Sequence, residues 1–195
     1  MTRRIWAFLR TVLQPRGTAA FMAISLVVGV VVGVAAAALI GAIEGITRAV
    51  EAVGDATGLP EVVVLVALPA GMVLAWWIAR RFAPEVAGDG VPETTAAVAI
   101  RSGHMPARSA PLKLLATALT VGTGGSAGRE GPIVQIGGSI GSTIARVTGL
   151  GEDRVRSLVA AGAGAAIGAS FNAPIAGMLF AMEVILGNFA IRHLN

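Results

Sequence analysis

Between Thr18 and Ile43 the chain has no charged residue, and this apolar run is long enough to cross a bilayer as a helix. Pro60 to Ile78 is a second apolar run, which ends at Arg80 and Arg81. The chain is 55% hydrophobic and 13% charged, whereas soluble domains average about 45–50% and about 25%. Because spanning segments must satisfy their own backbone hydrogen bonds, the sequence predicts an all-α polytopic membrane protein with tilted and broken helices.

The distribution of charge predicts the orientation. Met1–Gln14 has arginines among large apolar residues, as in a basic amphipathic helix on the inner membrane surface. A cleaved signal peptide is the alternative, but the apolar run that follows is too long for one. The connection from Glu44 to Glu61 is net acidic. We therefore expect a multi-pass protein of a bacterial-type plasma membrane with a cytoplasmic N-terminus, an amphipathic helix at residues 1–15 and a membrane domain at 16–195.

Several function classes are excluded by composition. The net charge of +4 does not indicate nucleic-acid binding, because the basic residues lie at the ends of apolar segments. There is no cysteine, and His104 and His193 lie far apart, so no metal site is expected. No nucleophile and base form a recognisable pair, so we expect neither an enzyme nor a cofactor.

Two glycine-flanked helix starts interrupt the apolar pattern, at Gly88–Pro92 and Gly128–Pro132. Each leaves backbone N–H groups free and places proline in the first turn, where its missing N–H is harmless. Such helix ends are electropositive and bind anions. Irregular backbone at membrane depth is tolerated where it lines a cavity. The two starts therefore predict one anion pathway, although simple helix capping without a ligand is the alternative.

Other glycines indicate helix packing. Gly29 and Gly33, then Gly41 and Gly45, repeat at a spacing that permits close approach of helices in lipid. The segment Gly162–Gly168 resembles a dinucleotide-binding fingerprint with one extra residue, but it lacks the following strand and acidic residue. We interpret it as a close-packed helix.

Two carboxylates at membrane depth are candidate functional groups, because buried charge in lipid is costly. Glu130 lies at the second helix start, where it can compete with an anion for the same place. Its alternatives are to cap its own helix or to pair with Arg129. Glu183 lies in the last helix, with no other charge between Arg156 and Arg192.

These segments resemble the CLC family of chloride channels and proton-coupled anion exchangers. Gly128–Gly138 is similar to the most specific signature of that family, Phe171–Gly177 to a second, and Gly88–Pro92 to its first anion-binding loop. The resemblance implies that Glu130 is the gating glutamate of a voltage- or proton-gated pathway for a small anion, most simply chloride. The residues that it assigns to anion binding are Asp89, Gly90, Val91, Gly128, Arg129, Gly131 and Pro132.

The resemblance also implies a homodimer whose membrane domain consists of two inverted repeats. The chain matches the first repeat, so a second repeat or partner half is expected to complete the pathway. The alternative is a non-conducting truncated fragment or an assembly module that needs a second polypeptide.

Two residues depart from the family pattern. Asp89 replaces the usual serine or proline, and a second charge about 4 Å from an anion costs about 4 kcal/mol at an effective dielectric of about 20. Helix ends contribute about 0.3–1 kcal/mol each, so Asp89 must be protonated, paired or turned to cap its own helix; we favour the cap. Val184 replaces the internal proton-transfer glutamate of exchangers, which leaves Glu183 as a possible proton path.

Overall fold

The computed structural model describes residues 17–187, so the amphipathic helix expected at residues 1–15 lies outside the described residues. The described range consists of helices joined by short loops and contains no strand, which confirms the all-α prediction. The helices are α1 (Thr18–Thr57), α2 (Pro60–Phe82), α3 (Val91–Ile100), α4 (Ser109–Gly122), α5 (Glu130–Val147), α6 (Glu152–Phe171) and α7 (Pro174–Phe180). A 3₁₀ turn (Pro84–Val86) precedes α3, and a π turn (Ala181–Ile185) follows α7.

Helix α1 continues well beyond the apolar run. The segment expected to be an acidic loop is helical as far as Thr57, and the connection to α2 is Gly58 and Leu59. Its charges suit an exposed helix, because Arg48 pairs with Glu44 one turn earlier at 2.7 Å. With 40 residues, α1 is about 60 Å long at about 1.5 Å per residue. It is therefore tilted in a bilayer or projects beyond it.

The outer faces of α1 and α2 are apolar and uncovered. Leu26 of α1 is 72% exposed and Leu65 of α2 is 75% exposed. Both helices are long and apolar enough to cross a membrane, with mean hydropathies of 2.8 and 2.3 over their most apolar windows. Lipid is the environment in which these surfaces are stable.

Helix α5 is the centre of the described fold. Of its 18 residues, 12 are buried. Ile133 and Ile136 pack with Leu158 of α6 and with Val28 and Leu39 of α1 in one apolar cluster. Gly131 therefore lies in the first turn of the most buried helix of the described chain.

Helices α5 and α6 touch backbone to backbone. A Cβ built on Gly137 would overlap the carbonyl of Gly162, and a Cβ on Gly162 would overlap that of Gly137. The interpretation of Gly162–Gly168 as a close-packed helix is confirmed at this contact. The glycines of α1 behave differently: Gly29, Gly33, Gly41 and Gly45 have nothing within 4 Å of their Cβ positions in the part of the chain described. The close packing expected at those four glycines is absent there.

Candidate anion site

At the start of α3, side-chain carboxylates of the same segment accept hydrogen bonds from backbone N–H groups. Gly90 precedes the helix with a φ of +121°, which glycine adopts far more readily than other residues. Its N–H donates to Glu93 Oε2 at 2.6 Å, and the N–H of Val91 donates to Asp89 Oδ2 at 3.3 Å. Pro92 has no N–H. Carboxylates of the chain itself therefore occupy the N–H groups of Gly90 and Val91.

Helix α5 begins with amides that have no acceptor in the part of the chain that is described. Its first turn contains Glu130, Gly131 and Pro132, and the carbonyl of Arg129 accepts the N–H of Ile133 at 3.1 Å. Among the described residues, no hydrogen-bond acceptor is recorded for the N–H of Glu130 or Gly131. Because unpaired N–H groups at a helix start attract negative charge, this end suits an anion better than α3 does.

The two helix starts are in direct contact. A Cβ built on Gly90 would overlap the carbonyl group of Gly131. A Cβ on Gly131 would lie 2.6 Å from the carbonyl oxygen and from both carboxylate oxygens of Asp89. The electropositive ends of α3 and α5 therefore converge, as an anion pathway requires.

Glu130 lies beside this junction. Its Oε2 lies 2.7 Å from the position of a Cβ on Gly128, so the carboxylate lies over the loop that precedes its own helix. No salt bridge between Glu130 and Arg129 is recorded in residues 17–187. Neither alternative role of Glu130, a pair with Arg129 or a side-chain cap of α5, is seen among the described residues.

A cavity borders the two starts. It has a volume of about 350 Å³ and is lined by Gly88, Asp89, Lys113, Gly128 and Pro132 together with apolar residues of α2 and α4. Since one water molecule takes up about 30 Å³ in the liquid, the cavity has room for a small ion with part of its hydration shell. Of the sequence-predicted residues, Asp89, Gly128 and Pro132 line it directly.

Lys113 belongs to this site and was not among the predicted residues. It is 4% exposed, and its ammonium donates to the carbonyls of Val86, at 3.0 Å, and Gly88. It also interacts electrostatically with Glu93 and Asp89. The sequence offered one signal, a single charge near the beginning of an apolar helix, but the same pattern marks membrane topology.

Glu183 lies on the turn that follows α7. It is an exposed residue of the π turn, where the carbonyl of the neighbouring Val184 accepts a 3.5 Å bond from Thr95 of α3. No hydrogen bond or salt bridge with Asp89 or Glu130 is recorded for it in the described range. Single π turns inside helical segments are frequent at functional sites.

The loop before α3 is anchored by an ion pair. Arg108 Nε donates to Glu85 Oε1 at 2.9 Å, and Gln135 Nε2 of α5 donates to the Glu85 carbonyl at 2.7 Å. Burial raises the pKa of Glu85, but the hydrogen bonds and charge of Arg108 outweigh it, so the pKa of Glu85 is lower than usual. The pair thus ties the 3₁₀ turn to the start of α4.

This ion pair should give a pH-dependent stability. A carboxyl whose pKa is lower in the folded than in the unfolded state stabilises the fold above the unfolded value of 4.5, and that contribution is lost as the pH falls. We expect Glu85→Gln to lower the Tm near pH 7 by no more than about 2 °C, because Arg108 is exposed. Thermal melts from about pH 7 to about pH 3 should show the difference shrink, since both proteins then lack the charge. Glu51→Gln, on exposed α1, should leave the Tm unchanged, and a Glu85 difference that persists in acid would contradict the ion pair.

Comparison with known proteins identifies the family. The sequence model described as "Voltage gated chloride channel" matches residues 71–195, which is most of the chain. The chain belongs to this family. It is 39% identical over 120 residues to the H(+)/Cl(−) exchange transporter ClcA of Vibrio cholerae strains O395 and M66-2. That match covers 60% of this chain and 25% of the relative.

A solved structure shows the same fold. A slow cyanobacterial Cl−/H+ antiporter superposes with a TM-score of 0.76 at 30% identity, over 89% of this chain and 42% of that one. The chain therefore spans less than half the length of that structure and a quarter of ClcA. The CLC resemblance stated from the motifs is confirmed, and with it membership of a family of integral membrane proteins.

Proposed function

We propose that the chain supplies the first repeat of a chloride transport pathway with Glu130 as its gate. The observation that carries this proposal is the backbone contact between Gly90 and Gly131, which brings two helix ends to one point. Family membership supports it, and so do the names of the similar proteins, which describe exchange of chloride and protons.

Glu130 acts in this proposal as a tethered anion. Its carboxylate extends toward Gly128, beside the amides of α5 that have no recorded acceptor among the described residues. A chloride ion and an ionised Glu130 compete for the same positive potential. When Glu130 takes up a proton, its attraction to that potential is lost and chloride takes its place. Arg129, at the N-cap position, and Val91 and Pro132, in the first turns, border the same pathway.

The remaining parts of the proposal concern assembly. We propose that a second repeat completes the pathway, because the similar proteins are much longer than the matched region. In complete form the protein is a homodimer in a bacterial-type plasma membrane, with the N-terminus in the cytoplasm. Glu183 supplies the inner proton site in place of the glutamate that Val184 replaces.

Chloride efflux from liposomes tests the function. We expect efflux from liposomes that contain the chain with a polypeptide supplying a second repeat, and an increase of about tenfold or more in Glu130→Gln, whose neutral side chain cannot compete with chloride. Asp55→Asn, on the exposed end of α1, is the matched control and should leave the rate unchanged. Efflux would be followed with a chloride electrode and proton movement with an internal dye.

The outcomes separate the alternatives. Unchanged flux and unchanged pH dependence in Glu130→Gln would reject the gate. No efflux from the wild-type chain, with or without a second repeat, would favour the non-conducting assembly module. Chloride flux with proton movement that Glu183→Gln abolishes would support the inner proton site.

A further inference from the structure

We propose that Asp89 is a second tethered carboxylate, on the α3 side of the pathway, and that an anion enters the junction only when Asp89 is protonated. This inference rests on the proposed anion pathway. It concerns a residue that distinguishes this chain, because a carboxylate replaces the serine or proline expected at this position.

The position of Asp89 is the first observation. Its Oδ2 accepts the N–H of Val91 at 3.3 Å, which is long for a bond to a carboxylate. Both carboxylate oxygens also lie 2.6 Å from the Cβ position of Gly131, on the other helix. The carboxylate thus lies between the two helix starts rather than capping α3 alone. The helix cap that the sequence favoured is present, but it explains only the bond from Val91 and not the proximity of the carboxylate to Gly131.

The charge balance around Asp89 is the second observation. Three carboxylates belong to the two helix starts: Asp89, Glu93 on its own helix and Glu130 on α5. Helix α4 contributes one cation, Lys113, whose ammonium is already bonded to the carbonyls of Val86 and Gly88. Helix α2 lines the cavity with uncharged residues such as Met72 and Trp76. Arg129 begins α5, and no salt bridge is recorded for it in residues 17–187.

Gln135 of α5 packs against the start of α3. The Gln135 Cβ lies 3.2 Å from the Cβ position of Gly90, and Gln135 is 1% exposed. Its Oε1 is a buried acceptor without a recorded partner among the described residues. An anion placed beside Asp89 meets a negative charge, whereas protonation of Asp89 removes that charge and adds a donor. Chloride binding must therefore take up a proton at Asp89 in addition to displacing Glu130.

Removing the Glu130 charge isolates the effect of Asp89. In Glu130→Gln, we expect chloride affinity to fall as the pH rises, measured by isothermal titration calorimetry on the chain purified together with the polypeptide that supplies the second repeat. In the double variant with Asp89→Asn, affinity at about pH 7.5 should be about tenfold higher or more, and independent of pH, because like-charge juxtaposition is removed. Glu130→Gln with Asp55→Asn is the matched control and should keep the pH dependence.

A second readout does not need chloride. The amide resonances of Val91 and Gly131, followed by NMR in isotopically labelled Glu130→Gln, should shift together as the pH is changed, and Asp89→Asn should abolish the shift. If Glu130→Gln binds chloride with no pH dependence, the inference is wrong and the proposed function stands. If no variant binds chloride at any pH, the proposed function fails for this chain. The NMR experiment then decides the inference, which is wrong if the Val91 resonance shifts with pH and the Gly131 resonance does not.

Discussion

Gly137→Leu should prevent the chain from reaching its folded state, with a loss of about 4 kcal/mol or more in the free energy of unfolding. The Cβ position of Gly137 overlaps the carbonyl of Gly162 and lies 2.9 Å from the Cβ of Ala166. Extra methylenes in a packed core usually cost about 1–3 kcal/mol. Here the obstacle is backbone, so α5 and α6 must move apart along their length, because Gly141 makes a similar contact with the Leu158 carbonyl.

The measurement is the yield of monodisperse protein by size-exclusion chromatography in detergent, followed by a thermal melt of any folded fraction. Gly45→Leu is the matched control: nothing described lies within 4 Å of its Cβ position, and leucine is a better helix former than glycine by up to about 1 kcal/mol. Gly137→Ala should fall between the two. Equal yields and equal Tm values for Gly137→Leu and Gly45→Leu would contradict the backbone contact between α5 and α6.

Much of the fold follows from local sequence signals. Proline in the first turn marks the start of α3 at Val91, within the predicted segment Gly88–Pro92, and the same signal is present at Pro174, where α7 begins. Glu130 was predicted to open α5, and it does. These starts are predictable because proline and glycine act through the backbone, which needs no tertiary partner to express its preference.

The end of α1 was mispredicted for a physical reason. Charges from Glu44 onward suggested a loop, but polar residues are equally compatible with the exposed side of a helix. The C-terminal signal was Gly58, whose φ of +67° ends α1. Hydropathy marks where a helix leaves the lipid, and in α1 that point precedes the end of the helix.

Part of the candidate site was predictable from local sequence signals, and part was not. The two helix starts were predictable because each carries its own glycines and proline. Lys113 was not, since its burial and its bonds to Val86 and Gly88 arise from the packing of α4 against a loop some 25 residues earlier in sequence. Glu93 could have been found, because it lies three residues after Gly90, the spacing at which a glutamate caps a helix start.

Gly90→Ala should lower chloride affinity by about tenfold or more while leaving the protein folded. Two effects act together at this position. A φ of +121° is outside the region that alanine adopts, at a cost of about 1–3 kcal/mol. The added methyl also meets the Gly131 carbonyl, so the strain can relax only by separating the starts of α3 and α5. The measurement is chloride affinity by calorimetry in the Glu130→Gln background, with a thermal melt of each variant.

Gly149→Ala separates backbone strain from loss of the contact. Gly149 also has a positive φ, of +67°, but nothing described lies within 4 Å of its Cβ position, and it follows α5 at the end away from Glu130. It should lower the Tm without changing chloride affinity. If both alanine variants weaken chloride binding equally, global destabilisation explains the result. If Gly90→Ala binds chloride as tightly as its parent, an anion does not need the two helix ends together, and the pathway does not pass between them.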